Sequence, residues 1–332
     1  MLQYIVRRVA AFAPLLLLLS AVSFAIIELP PGDYLTSYML RLELQGNRIT
    51  DDQAANLSAY YGLDQPVYTR YLLWLRNILL RGNLGWSFAH DRPVSVVIGE
   101  RLGLTLVVTI STLIFTYVAA VPIGVYSAVR QYSFFDYFWT FWGFVGLAIP
   151  NFLFALVLLW IAFRYFGVAI TGLFAPEFVD APWSLARVWS MLQRLWAPVV
   201  VVGTAGMAGL IRVMRGTLLD ELRKQYVVTA RAKGVAEGRL LFKYPVRIAV
   251  NPIISGIGWL LPAIISGATI TSIVLNLPTT GPVLLGALLA QDMYLAGSFV
   301  MILSILVLVG NLISDIVLAW VDPRIRFGRV ES

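Results

Sequence analysis

No cysteine occurs in the 332 residues. That excludes disulfides, thiolate nucleophiles and Cys-ligated zinc or iron–sulfur centres. There is one histidine, His90, and no H-E-x-x-H pair to hold a catalytic zinc. The only lysines are Lys224, Lys233 and Lys243, and none follows a glycine, so the phosphate-binding pattern G-x-x-x-x-G-K-[ST] is missing. Charge is scarce, at 13% of residues against about 25% in soluble domains. No charged residue lies between Leu102 and Val129 or between Ile248 and Gln291. Carriers driven by protons or sodium place carboxylates or histidines inside the membrane, and these runs carry neither. Asp136, Arg164 and Asp315 sit at the ends of apolar runs and read as interfacial. Uphill transport by such a chain has to draw its energy from a partner.

What the chain has in excess is apolar surface, with 59% hydrophobic residues and a mean hydropathy of +0.80. A soluble chain could not cover that surface with polar groups, so the excess faces lipid. The net charge of +7 sits in loops between apolar runs, where Lys and Arg report membrane orientation. No nucleic-acid-binding motif accompanies it.

Six apolar segments are expected to span the bilayer, at 9–29, 102–128, 137–166, 196–215, 250–275 and 295–320. In lipid these must be helices, because each backbone donor and acceptor needs a partner within its own segment. The expectation is therefore an all-α polytopic membrane protein, a single domain over 1–332. The first segment is too long for the core of a cleavable signal and reads as a retained span. Prolines 14, 122, 150, 198 and 262 predict kinks or helix starts. At the inner end of the fourth segment Arg212 and Arg215 have to snorkel.

Lys and Arg before the first segment, after the second, between the fourth and fifth, and after the sixth all fall on one side, which predicts cytoplasmic termini. Arg187 and Arg194, in the loop 167–195, depart from that pattern. Residues 30–101 form a long external segment. Within it, Pro66 to Leu80 reads as an amphipathic helix with Tyr71, Trp74, Leu75, Ile78 and Leu79 on one side, ended at Gly82-Asn83-Leu84-Gly85.

On the opposite side lies the loop 216–249. Extended back to Arg212, it carries nine basic and three acidic residues. Thr217 to Lys224 continues the fourth segment as a charged helix. Tyr226-Val227-Val228-Thr229-Ala230-Arg231-Ala232-Lys233-Gly234 then reads as a short helix with small residues on one side and glycine in the stop position. Such a helix suits docking to another protein. A merely solvated basic loop is the alternative reading of the same composition.

The run from Tyr226 to Gly234, with Pro252 beyond it, resembles the signature of permeases from bacterial ABC importers of the oligopeptide/dipeptide/nickel type. The resemblance extends through Tyr4-Ile5-Val6-Arg7-Arg8, Pro31-Gly32-Asp33, Tyr61-Gly62-Leu63-Asp64-Gln65-Pro66, Gly82-Asn83-Leu84-Gly85 and Asp322-Pro323-Arg324-Ile325-Arg326. It implies the type I importer permease fold. It also implies that residues 226–237 form the helix that couples to an ATPase, with Tyr226, Thr229, Ala230, Arg231, Ala232, Lys233, Gly234 and Glu237 as its contact residues. The implied partners are a second homologous permease, two ATPase subunits and an external solute-binding protein. ATP and Mg would bind the ATPase subunits, and this chain would carry no cofactor and no catalytic site.

Small and hydroxyl residues on segments four and five, namely Gly203, Gly206, Ser255, Gly258 and Ser266, are candidates for the translocation pathway. Ordinary tight helix packing is the competing explanation of each. Where the family commonly has an aromatic followed by x-Pro-Gly-x-Gly, this chain reads Leu275-Asn276-Leu277-Pro278-Thr279-Thr280-Gly281-Pro282. The substrate class therefore stays open among peptides, oligosaccharides and nickel chelates. A self-sufficient secondary carrier or channel is the alternative from another class.

Overall fold

The apolar runs fold as helices, and a hairpin of two two-residue strands is the only β-structure among the described residues. The computed structural model describes residues 2–28, 65–87 and 89–321. In chain order the helices are α1 (Leu2–Glu28), α2 (Val67–Arg81), α3 (Val94–Val129), α4 (Phe134–Ala148), α5 (Asn151–Phe166), α6 (Leu185–Leu222), α7 (Gln225–Ala232), α8 (Glu237–Lys243), α9 (Pro245–Ala249), α10 (Asn251–Ser255), α11 (Ile257–Val274), α12 (Thr280–Leu289) and α13 (Met293–Val321). Strands β1 (Trp86–Ser87) and β2 (Arg92–Pro93) pair antiparallel, with Trp86 opposite Pro93.

Six spans were expected. Among the described residues four helices are long and apolar enough to cross a membrane, within α1, α3, α6 and α13, and a fifth counts if α4 and α5 form one broken span. The expected single segment 137–166 is in fact two helices bent by 106°. Pro150 marks the break: it offers no N–H, and the residue before it, Ile149, is extended at φ −86° and ψ 122°. The fifth expected segment, 250–275, is assembled from α10 and α11 with a turn at Gly256, whose N–H is shared between the carbonyls of Pro252 and Ile253 at 3.0 Å each. The 18 residues of α11 reach about 27 Å, just short of a ~30 Å hydrocarbon core. Helix α6, at 38 residues, runs about 57 Å and overshoots the expected 196–215 at both ends.

The chain divides into two compact units. One contains 104–282 with both chain ends. Its core is built by α3, α6, α9, α10 and α11 around Ala120, Leu210, Met214, Leu218, Val246, Ile253 and Leu260. The helices meet where one of them has no side chain. A Cβ on Gly124 would lie 2.6 Å from Met214 Cβ, and one on Gly146 would lie 2.8 Å from Thr204 Cγ2. Small residues of this kind let membrane helices approach closely, where dispersion forces take the place of the hydrophobic effect. Polar groups are used locally: Tyr117 donates to the Ile253 carbonyl at 2.8 Å, and Ser314 to that of Ile254 at 3.0 Å. Thr105 Oγ1 accepts the N–H of Thr280 at 2.9 Å, which caps α12. The two cations that broke the charge pattern hold their own loop. Arg187 donates to the carbonyls of Ala181 and Val179 and stacks on Phe174 and Trp183, and Arg194 donates to Ala169 and Thr171.

The other unit contains 9–103 and 283–306. Here α2 forms as expected and ends at Gly82, whose φ of 62° receives the helix stop. Tyr71, Trp74, Leu75 and Ile78 pack on Phe24, Ile27 and Met301, so the amphipathic face covers α1 and α13. Leu79, expected on that face, is 73% exposed. At 100° per residue it lies one step beyond the buried stripe. The β-hairpin is fastened to the start of α13 by Asp292, which accepts from Ser87 Oγ at 2.6 Å and from the N–H of Ala89 at 3.0 Å. Of the external segment 30–101, residues 30–64 and 88 lie outside the described residues, as do the C-terminal motif 322–326 and the motifs within 31–64.

Candidate functional site: the loop from 216 to 249

The basic loop is a sequence of short helices folded back on α6. Helix α6 continues to Leu222, as its charged extension predicted. After a turn at Arg223 and Lys224, α7 starts without a side-chain N-cap. Two contacts anchor it. Val227 is fully buried, and Tyr226 donates its hydroxyl to Glu221 Oε2 on α6 at 2.5 Å. Burial, and then that carboxylate, raise the Tyr226 phenol above its ordinary value, so it stays a donor at every physiological pH.

The end of α7 is a Schellman motif. Gly234 takes φ 75°, its N–H reaches the Arg231 carbonyl at 3.0 Å, and the N–H of Val235 reaches that of Ala230 at 3.3 Å. A Cβ added at Gly234 would meet nothing within 4 Å, so glycine serves the backbone turn there and not a tight contact. Across the turn Arg231 grips Glu237, Nε to Oε1 at 2.5 Å and NH2 to Oε2 at 3.2 Å. The hydrogen bonds from Arg231 hold the Glu237 carboxyl below its ordinary value. Leu240 of α8 is fully buried, and Thr217 Oγ1 donates to the Ala249 carbonyl at 3.1 Å, so the chain returns along α6.

The outward face of this device is therefore preset. Val228, Thr229, Arg231, Ala232, Lys233, Gly234 and Glu237 are exposed, Ala230 is half-buried, and Tyr226 faces inward. The structure brings seven of the eight expected contact residues to the outside or the edge of one short helix and its turn. It also adds Val228, 48% exposed, which sequence reasoning passed over. An apolar residue beside Ala232 and flanked by cations was the signal that could have found it.

The candidate pathway residues are distributed differently. Gly203 is buried against α3, where a Cβ would meet Phe115 Cδ1 at 2.7 Å and Thr116 Oγ1 at 3.1 Å. Gly206 faces Thr116 and Leu260, and a Cβ on Gly258 would lie 2.6 Å from Asn311 Oδ1. These three stand at helix crossings. Ser255 is exposed and donates to the Asn251 carbonyl at 3.1 Å. The side chain of Ser266 lies outside the described residues. No group of three or more His, Asp or Glu side chains forms a metal site among the described residues.

Comparison with known families places this architecture. Residues 120–327 match the family described as binding-protein-dependent transport system inner membrane component, and residues 1–109 match the family of the N-terminal part of such membrane components. The chain is 36% identical to the oligopeptide transport system permease protein AppB of Bacillus subtilis, covering 98% of this chain and 100% of the relative. It is 30% identical to the oligopeptide permease OppB of Haemophilus influenzae and 27% identical to the dipeptide permease DppB of Escherichia coli K12, each over 98% of this chain and at least 99% of the relative. Among solved structures, a chain of the MetNI methionine ABC transporter in inward-facing form superimposes with a TM-score of 0.53. It covers 68% of this chain and 96% of that chain at 14% identity, a likeness of fold. The chain belongs to the binding-protein-dependent transport inner membrane component family, as a multi-pass, non-catalytic permease subunit of an ABC importer whose ATPase is a separate subunit.

Proposed function

We propose that this chain forms half of the translocation pathway of a type I importer for oligopeptides or dipeptides, with α7 as the helix that docks on an ATPase subunit. The substrate class is carried by the full-length similarity to oligopeptide and dipeptide permeases. Oligosaccharides and nickel chelates remain the runner-up classes, because the departure at 275–282 lies in a segment next to the pathway helices. The assembly would pair this chain with a second homologous permease, two ATPase subunits that bind ATP and Mg, and an external binding protein. Six spans, with α11 completing the fifth, would put both termini and the loop 216–249 in the cytoplasm.

Coupling follows from the loop's construction. Helix α7 is tied to α6 through Tyr226–Glu221 and the buried Val227, so force applied to its exposed face passes to α6 and does not dissipate in a flexible linker. Helix α6 carries Gly203 and Gly206 at its crossing with α3, where small residues permit one helix to slide on another. ATP-driven closure of the ATPase subunits would then bias the two arrangements of the spans.

The observation that carries this reading is the exposed, internally braced α7 in a chain of this family. Because the chain has no cysteine, Ala232→Cys supplies a unique label. Disulfide cross-linking to a single cysteine in the ATPase docking groove is the expected result. Labelling of that cysteine from outside intact cells would reverse the topology. Solute flux in proteoliposomes holding this chain alone would replace the importer with a self-sufficient carrier.

A further inference from the structure

A cleft of about 270 Å³ opens between α4 and α6, outside the loop and outside the candidate pathway. Its walls are largely apolar and aromatic, with Tyr137, Trp139, Phe144 and Ile211 among them, and Thr140 adds a hydroxyl. Three charged groups face it. Asp136 is nearly buried and fully engaged. Its Oδ1 accepts from Arg215 Nε at 3.2 Å, and its Oδ2 accepts from Arg215 NH2 at 3.0 Å and from the N–H of Tyr132 at 3.0 Å. Those two charges cancel. Arg212 remains, exposed, with its guanidinium 5.0 Å from the centroid of the Phe144 ring and in no ion pair among the described residues.

We propose that this cleft binds the headgroup of one anionic phospholipid. A single positive charge left over in an apolar cleft of a membrane protein calls for an anion that is itself amphiphilic. The planar guanidinium presents a fork that matches phosphate oxygens, and stacking on Phe144 holds it in place. Tyr137 and Trp139 have the apolar bodies and polar tips that settle at the headgroup level. Outside the cleft, α4 exposes Phe138, Phe141 and Trp142, a surface on which acyl chains can lie. A phosphate with its first methylenes fits a space of about 270 Å³. Basic pockets between spanning helices recognise lipid headgroups by this combination of charge and apolar wall.

The test uses the full chain, copurified with the subunits it retains, in nanodiscs of phosphatidylcholine containing about one-fifth phosphatidylglycerol, with native mass spectrometry to count retained lipids. The wild-type chain should hold one phosphatidylglycerol with a preference of about fivefold over phosphatidylcholine, the worth of one basic residue at the surface. Arg212→Ala should bring the preference to parity. Arg212→Lys should keep part of it, and Arg223→Ala, away from the cleft, all of it. If Arg212→Ala fails to fold, Arg212→Gln makes the same comparison. An unchanged preference in the neutral variants would overturn the proposal. So would release of the lipid by excess inorganic phosphate, which would make the cleft a free-anion site. Cross-linking of Tyr137→Cys to another subunit would show a protein in the cleft, and that too would overturn it.

Discussion

Gly234 isolates one physical effect, because substituting it meets no neighbour. Its φ of 75° places an L-residue in the left-handed region, at about 1–2 kcal/mol for alanine. Stiffening of the opened chain offsets part of that, by about 0.4–1 kcal/mol. The net for Gly234→Ala is about 1 kcal/mol, or about fivefold in the equilibrium between the formed and frayed end of α7. Hydrogen exchange read on peptides covering 225–240 should report it, since the Val235 N–H depends on the motif through its bond to Ala230. Gly234→Asn should cost less than half as much, because asparagine tolerates this conformation. The ATPase rate stimulated by transport substrate should fall in the same order, alanine below asparagine below wild type. Overall melting should barely move for a residue so exposed. Identical exchange in the alanine and asparagine variants would refute the backbone argument. Altered exchange with unaltered ATPase coupling would instead refute the role given to α7.

Three further outcomes are expected. Because Arg231 holds Glu237 below its ordinary value of 4.5, the clasp contributes stability above that value and loses it only as pH falls through the lowered one. A spin label at Ala236→Cys should therefore keep constant mobility from pH 8 down to about 5 and loosen only below the ordinary glutamate range, whereas Glu237→Gln should be loose throughout. Asp136→Ala should destabilise the chain by about 1–3 kcal/mol, measured by melting in detergent, because it leaves the Tyr132 N–H and the part-exposed Arg215 without their acceptor; an unchanged melting temperature would contradict the pairing. Gly297→Val should impair folding, since even a Cβ there would lie 2.5 Å from Ile27 Cγ1 and 2.8 Å from the Ser23 carbonyl, and normal expression and melting would argue against that crossing.

Composition and local chemistry settled a good deal of this. The membrane class followed from apolar surface that no soluble fold could cover. The helices α2 and α7 and their glycine stops could be read from periodicity and from a backbone conformation that only a few residues adopt. The family resemblance rested on contiguous residues, and contiguous residues are what a sequence displays.

Tertiary structure decided the rest. Pro150 announced a kink, but a direction change of 106° depends on what the two flanking helices pack against. Gly203, Gly206 and Gly258 offered small size, suited to a pathway or to a crossing, and only folding set them beside Phe115, Thr116 and Asn311. Arg212 and Arg215, three apart on one helix, looked alike; Asp136, 79 residues from Arg215, neutralises one and leaves the other facing the cleft. A residue's type sets which interactions it can make, whereas which of them it makes depends on groups far away in the chain that only folding brings within a few ångströms.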